Sequence, residues 1–307
     1  MKARLLKLHR WIALLFALPL LLVVASGLIL SFEPWLVVES IGPKSLTSDR
    51  VTALLGQHDP SGQAQMLAYR SYDRTVTIGI ARNAGKVIDI ATGELLPAPS
   101  SLAMALGLTR RLHEKLLIDA GWLVVGSTVA MLAVAILGLL LGVPRVSNTL
   151  SGWHKGMAWG LLPFTLLSPL TGLCLAFGIT LATPAGNAPS ARGPAVTLAE
   201  AVRVVGERHD LSTLVWLRSL GGRMVARLAE GGEYRLYAVT PEGTVALPRN
   251  WPRLWHEGNF AGAWSALMNV VVSITLAGLL VTGTWMWARR QLRRRSMRRA
   301  AARVKAG

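Results

Sequence analysis

Four apolar stretches constrain the fold of this chain more than any other feature of its sequence. A helix that crosses a bilayer needs about 20 consecutive, mostly apolar residues. Stretches of that length lie near Trp11–Phe32, Asp119–Val143, Met157–Leu181 and Ala263–Ala288. The sequence therefore predicts an α-helical membrane protein with a bundle of four spans.

The net charge of +17 is concentrated in three short segments. Residues 1–10, 145–155 and 289–307 contain 15 Lys and Arg residues and no Asp or Glu. Short basic flanks of membrane spans mark the cytoplasmic side, so both termini and the 145–155 loop are predicted to be cytoplasmic. Membrane topology thus accounts for the charge, and no nucleic-acid partner is predicted. Met1–Ser26 also fits a cleavable signal peptide, but its apolar run continues to Leu30.

Two halves of the chain repeat one pattern. Ser26 follows His9 by 17 residues, and Thr171 follows His154 by the same number. The segments between the spans repeat with an offset near 150 residues, as in Gly93 and Gly243. Equal spacing in two distant segments indicates an internal two-fold repeat.

Each segment between spans is predicted to form a small extracytoplasmic α+β domain, with one helix followed by a three-stranded meander. The helices are predicted at Thr47–Gln57 and Thr197–Arg208. The strands are predicted at Gln65–Arg70, Thr75–Ala81, Lys86–Ala91, Leu214–Arg218, Arg223–Leu228 and Tyr234–Val239. The predicted parts are a first span (1–32), an outer domain (33–118), spans two and three (119–181), a second outer domain (182–262) entered through the linker Gly186–Gly193, a fourth span (263–288) and a basic tail (289–307).

Four histidines lie at the ends of the four predicted spans. His9 and His154 fall at the cytoplasmic edge, and His113 and His256 at the outer edge. Burying a polar ring among membrane helices costs free energy, so a histidine in that position usually has a function. Two imidazoles on facing helices are the axial ligands that haem b takes, whereas a zinc ion needs about four ligands. The sequence therefore predicts two haems, ligated by His9 with His154 and by His113 with His256.

Cations beside the inner pair, Arg10 and Lys155, are predicted to neutralise haem propionates. Two further histidines, His58 and His209, end the predicted outer helices. A polar helix terminus explains both of them, and contact with a substrate is left open.

A set of short motifs resembles the PepSY-associated transmembrane helix family of bacterial inner-membrane proteins. The motifs are Leu8-His9-Arg10-Trp11, Ser26-Gly27-Leu28, Leu112-His113-Glu114, Trp153-His154-Lys155, Thr171-Gly172-Leu173, Trp255-His256-Glu257 and Thr284-Trp285-Met286-Trp287-Ala288-Arg289-Arg290. The resemblance implies PepSY-like outer domains and a four-span, two-haem oxidoreductase. Its electrons would come from quinol or a cytoplasmic flavoprotein reductase and pass to an extracytoplasmic ferric siderophore or other ferric chelate.

Two other classes of protein fit the same sequence. The first is a haem-free membrane scaffold whose PepSY-like domains bind or inhibit a partner such as a peptidase. The second, a small transporter, is less favoured because the spans lack charged residues at mid-membrane depth.

Overall fold

A computed structural model describes residues 1–81, 84–143, 147–182 and 196–306. The chain divides into two compact units. The helical unit comprises Met1–Ile29, Leu108–Gly178 and Met268–Gly307, and the α+β unit comprises Leu30–Gly107 and Ile179–Leu267. The predicted linker Gly186–Gly193 lies outside the described residues, as does the start of the predicted 145–155 loop.

The described helices and strands are numbered in chain order. The helices are α1 (Lys2–Leu15), α2 (Ala17–Leu30), α3 (Glu33–Glu39), α4 (Ser48–His58), α5 (Ser101–Lys115), α6 (Gly121–Leu140), α7 (Leu150–Gly160), α8 (Leu162–Ala176), α9 (Leu198–Arg208), α10 (Trp251–Glu257) and α11 (Ala263–Ala306). The strands are β1 (Met66–Arg70), β2 (Thr75–Ala81), β3 (Ala84–Asp89), β4 (Leu95–Leu96), β5 (Leu214–Leu220), β6 (Arg223–Glu230), β7 (Glu233–Thr240) and β8 (Gly243–Ala246).

Three helical segments are long and apolar enough to cross a membrane: Ala17–Glu39, Gly121–Leu140 and Ala263–Arg299. The pair α7 and α8 is a fourth candidate only if both helices form one span, because their axes are bent by 66°. Pro163 lies at the start of α8, where it removes a backbone donor from the junction. The protein is thus a membrane-associated helical protein with three or four candidate spans, and four spans are not confirmed. Within the helical unit, α6 packs against α1 and α8.

The strands form one antiparallel sheet in the order β4-β3-β2-β1-β5-β6-β7-β8. Each half is a four-stranded meander, and the halves join where β1 pairs with β5, with Leu67 opposite Leu217. Both leucines are fully buried, in a hydrophobic cluster to which both halves contribute. Two separate outer domains are therefore not confirmed, because the segments share one sheet and one core. The strands β4 and β8 extend the predicted three-stranded meanders.

The two long helices of the α+β unit begin with the same cap. The Thr47 hydroxyl accepts a hydrogen bond from the backbone N–H of Arg50, and the Thr197 hydroxyl accepts one from Glu200. Such caps satisfy backbone donors that the first helical turn leaves without a partner. Helices α4 and α9 pack against each other, a contact that the prediction of two separate domains did not include.

Candidate functional site

His9 on α1 is held against helix α6. Its Nδ1 donates a hydrogen bond of 2.9 Å to the carbonyl oxygen of Val134. A carbonyl only accepts, so the neutral ring carries its proton on Nδ1 and a lone pair on Nε2. Gly138 lies one turn further along α6, where an added Cβ would stand 3.7 Å from Cε1 of His9. The glycine therefore lets the imidazole lie close to the α6 backbone.

His154 on α7 is held in the same way against helix α11. Its Nδ1 lies 2.8 Å from the hydroxyl oxygen of Thr282. That hydroxyl donates to the carbonyl of Gly278, so it accepts from the histidine. A Cβ added to Gly283 would stand 3.4 Å from Cε1 of His154. The lone pair of the neutral ring is again on Nε2.

His113 on α5 contacts helix α2. Its Nδ1 donates to the carbonyl oxygen of Val23 at 3.0 Å and lies 3.2 Å from the hydroxyl of Ser26. The Ser26 hydroxyl donates to carbonyls of its own helix, so it too can accept from the ring. A Cβ added to Gly27 would stand 3.1 Å from Cε1 of His113. Ser26 and Gly27, which belong to one of the repeated motifs, thus both contact the His113 ring.

Both histidines of the inner pair belong to the helical unit. His9 lies on α1 and His154 on α7, and their ligation of one haem stays a prediction. Gly283 follows Gly138 by 145 residues, which is also the separation of His154 from His9. The glycines that the two histidines contact on α6 and α11 are thus separated along the chain by the same number of residues as the histidines themselves.

The outer pair is distributed over the two units. His113 belongs to the helical unit, and His256, on α10, belongs to the α+β unit. Their pairing therefore stays a prediction.

Of the two cations predicted beside the inner pair, Arg10 is half-buried and Lys155 is exposed. The charge of Lys155 acts on His154, and the role of both cations toward propionates stays a prediction.

The described part of the chain contains no group of three or more His, Cys, Asp or Glu side chains that could hold a metal ion. Haem needs no such group, because its macrocycle supplies the equatorial nitrogens and the protein supplies only axial ligands.

The hydrogen-bond partners of His9 and His154, which are the Val134 carbonyl and the Thr282 hydroxyl, were not predicted. A backbone carbonyl has no side-chain signature, and Thr282 is one of several hydroxyl residues on its helix.

His58 and His209 tie the ends of α4 and α9 to their meanders. Nε2 of His58 donates to the Gly93 carbonyl at 2.9 Å, and Nε2 of His209 lies 3.0 Å from the Thr244 hydroxyl. The Glu230 carboxylate accepts hydrogen bonds from Nδ1 of His209, at 2.8 Å, and from the hydroxyl of Tyr237. These bonds give both histidines a structural role, and contact with a substrate stays untested.

Apolar helices able to span a bilayer, combined with a single antiparallel sheet, define a membrane protein with one folded α+β unit. The model of a family described as the PepSY-associated TM region matches residues 6–290. The chain belongs to this family. Comparison with curated proteins gave no match.

Proposed function

We propose that this protein is a di-haem b electron carrier of the bacterial inner membrane. The observation that carries the proposal is the shared geometry of His9, His113 and His154. Each ring donates from Nδ1 to an acceptor on a neighbouring helix and packs against a glycine of that helix. Histidines that ligate metals are commonly oriented by a hydrogen bond from their other ring nitrogen. The rings of His9 and His154 thus carry on Nε2 the lone pair that would ligate an iron.

The donor set fits haem b. His9 and His154 would hold the inner group, and His113 and His256 the outer one. The glycines opposite the rings of His9, His113 and His154 keep the helix backbones close to the imidazoles. When bound, haem supplies the one-electron chemistry, whereas the protein sets ligand orientation and access.

The two sites are expected to lie on opposite sides of the membrane. A span of about 20 residues rises roughly 30 Å, so histidines at its two ends cannot share one iron. Electrons would enter on the cytoplasmic side from quinol or a flavoprotein reductase and leave toward an extracytoplasmic ferric chelate, such as a ferric siderophore. The basic segments support this orientation, with both termini cytoplasmic. A reporter fused after Arg289 should be active only in the cytoplasm, and activity only outside it would reverse the assignment.

Replacement of single histidines tests the proposal. His9→Ala and His154→Ala should each remove the absorbance of one haem and leave the other largely unchanged. The controls His58→Ala and His209→Ala should retain both, because these rings bond only within the α+β unit in the described contacts. Reduction of an external ferric chelate should fail in both inner variants.

The decisive measurement is haem content per polypeptide in the purified protein. Two haems that survive in both His9→Ala and His154→Ala would show that these rings are not ligands. A protein purified without haem from cells supplied with it would favour the alternative, a membrane scaffold that binds a partner through its sheet unit.

A further inference from the structure

Four arginines converge on one small pocket of the α+β unit. The pocket lies between β6, β7 and the start of α10. Its lining residues are Arg227, Tyr234, Arg235, Leu236, Leu247, Pro248, Arg249, Asn250, Arg253 and Leu254. Such a concentration of guanidinium groups indicates an anionic ligand unless neighbouring carboxylates neutralise it.

Two glutamates neutralise only half of this charge. Glu233 accepts from Arg235 at 2.8 Å and from Nε of Arg249, which lies 3.1 Å from each carboxylate oxygen. Glu257 accepts from Arg227 and, at 3.0 Å, from Arg253.

These four arginines and two glutamates therefore carry a formal charge of +2. The glutamates are 12% and 22% exposed, whereas Arg249 and Arg253 are 44% and 45% exposed. The solvent-facing part of the cluster is thus its cationic part.

Aromatic rings orient two of the guanidinium groups. Arg227 lies 4.5 Å from the centroid of the Tyr234 ring, and Arg249 lies 5.6 Å from that of Trp251. Stacking and the bonds to the glutamates restrict rotation of these long side chains. A planar guanidinium held in one orientation presents parallel N–H donors, which match the two oxygens of a carboxylate.

The repeated fold does not require this cluster. The segment that carries Arg249 and Arg253 begins with Leu247-Pro248, and the first half of the chain has the same pair at Leu96-Pro97. In that half, residues 95–107 and strand β2 contain no charged residue, and strand β3 contains Lys86 and Asp89 but no arginine. The first meander therefore folds without arginines at the matching positions, so the cluster points to a ligand of the second half alone.

We propose that the exposed face of this arginine cluster, at the mouth of the pocket, binds a carboxylate ligand with at least two negative charges. A ligand with two negative charges would neutralise the residual charge of +2, and the N–H donors of the exposed Arg249 and Arg253 match carboxylate oxygens. Two sources supply such carboxylates: a soluble polycarboxylate, or the propionates of a haem at His256, which lies three residues after Arg253. The proposal itself holds whether or not the protein takes up haem.

Calorimetric titration with citrate, on the full-length protein in detergent, tests the site. The haem-free protein should bind one citrate. Arg249→Gln should weaken that binding about tenfold or more, because a charge-assisted contact is lost. The matched control is Arg203→Gln, which also removes an exposed arginine paired with a glutamate, but on helix α9 outside the pocket. Its affinity for citrate should equal that of the unmodified protein.

The haem-loaded protein distinguishes the two sources. Citrate that binds with and without haem assigns the pocket to a soluble ligand, and citrate that binds only without haem assigns it to propionates. The proposal is overturned if citrate does not bind the haem-free protein, or if Arg249→Gln and Arg203→Gln bind it equally. Thermal unfolding of both variants checks that neither has lost its fold.

Discussion

Replacement of Thr282 by valine tests the inner site without touching a proposed ligand. Valine keeps the branched shape of threonine but removes the hydroxyl that accepts from Nδ1 of His154 at 2.8 Å. A neutral hydrogen bond of this kind contributes about 0.5–1.5 kcal/mol, so its loss should weaken binding of the inner haem by roughly two- to thirteen-fold. Loss of an orienting partner of a metal ligand costs about 10- to 100-fold in some proteins, so the estimate is a lower one.

The same helix provides a matched control for this variant. Thr284 also bonds a carbonyl of its own helix, at 2.8 Å to Leu280, and none of its described contacts reaches a histidine. Both substitutions to valine therefore remove one hydroxyl and one bond to the helix backbone. Haem retention is measured from the visible spectrum during competition with apomyoglobin.

The two variants should differ in a defined way. Thr282→Val should lose the inner haem faster than the unmodified protein and leave the outer haem unaffected. Thr284→Val should lose both haems at the unmodified rates. Equal behaviour of the two variants would refute the reasoning, because the contact between His154 and Thr282 would then have no effect on ligation.

Three further outcomes are expected. Gly27→Ala should perturb the outer haem's spectrum, because its Cβ would stand 3.1 Å from the His113 ring, whereas Gly126→Ala meets nothing within 4 Å and should have no effect. Leu67→Ala should cost about 2–5 kcal/mol of unfolding free energy and reduce hydrogen-exchange protection in β6 and β7 as well as β2; loss confined to the first half would contradict a shared core. Burial, and then the hydrogen bond to a carboxylate, raise the pKa of Tyr237 in the folded protein. The contribution of Tyr237 to stability should therefore be complete below the pKa of about 10 in the unfolded chain, and it should fall as pH rises through the pKa in the folded protein. Alkaline unfolding curves of Tyr237→Phe should lack this component.

Local signals in the sequence predicted helices α4 and α9 of the α+β unit to within one residue at each end, whereas α3 and α10 were not predicted. Thr47 and Thr197 accept hydrogen bonds at their helix starts, and a capping threonine is visible in the sequence. Alternating apolar residues likewise located the six longer strands. The two-residue strand β4 and the four-residue β8 are too short to produce such a pattern.

Long-range features could not be predicted from the same signals. The pairing of β1 with β5 depends on backbone groups at two strand edges, which every strand possesses. The bend between α7 and α8 interrupts a stretch whose apolar composition is continuous through Pro163. The four histidines were selected as candidates from their positions at the ends of the predicted spans, whereas the acceptor of His9 is a carbonyl that any residue supplies.

The join between β1 and β5 has a consequence for synthesis of the chain. Met66 and Leu214 are separated by about 150 residues, so ribosomes that add about 5–20 residues per second deliver the partner strand roughly 7–30 seconds later. During that interval the edge of β1 is open to pairing with other chains, a hazard that ends when β5 arrives. Among the described strands, β4 and β8 form the outer edges of the finished sheet, and both are short. Nascent chains arrested between the two strands should therefore need a chaperone that completed chains do not.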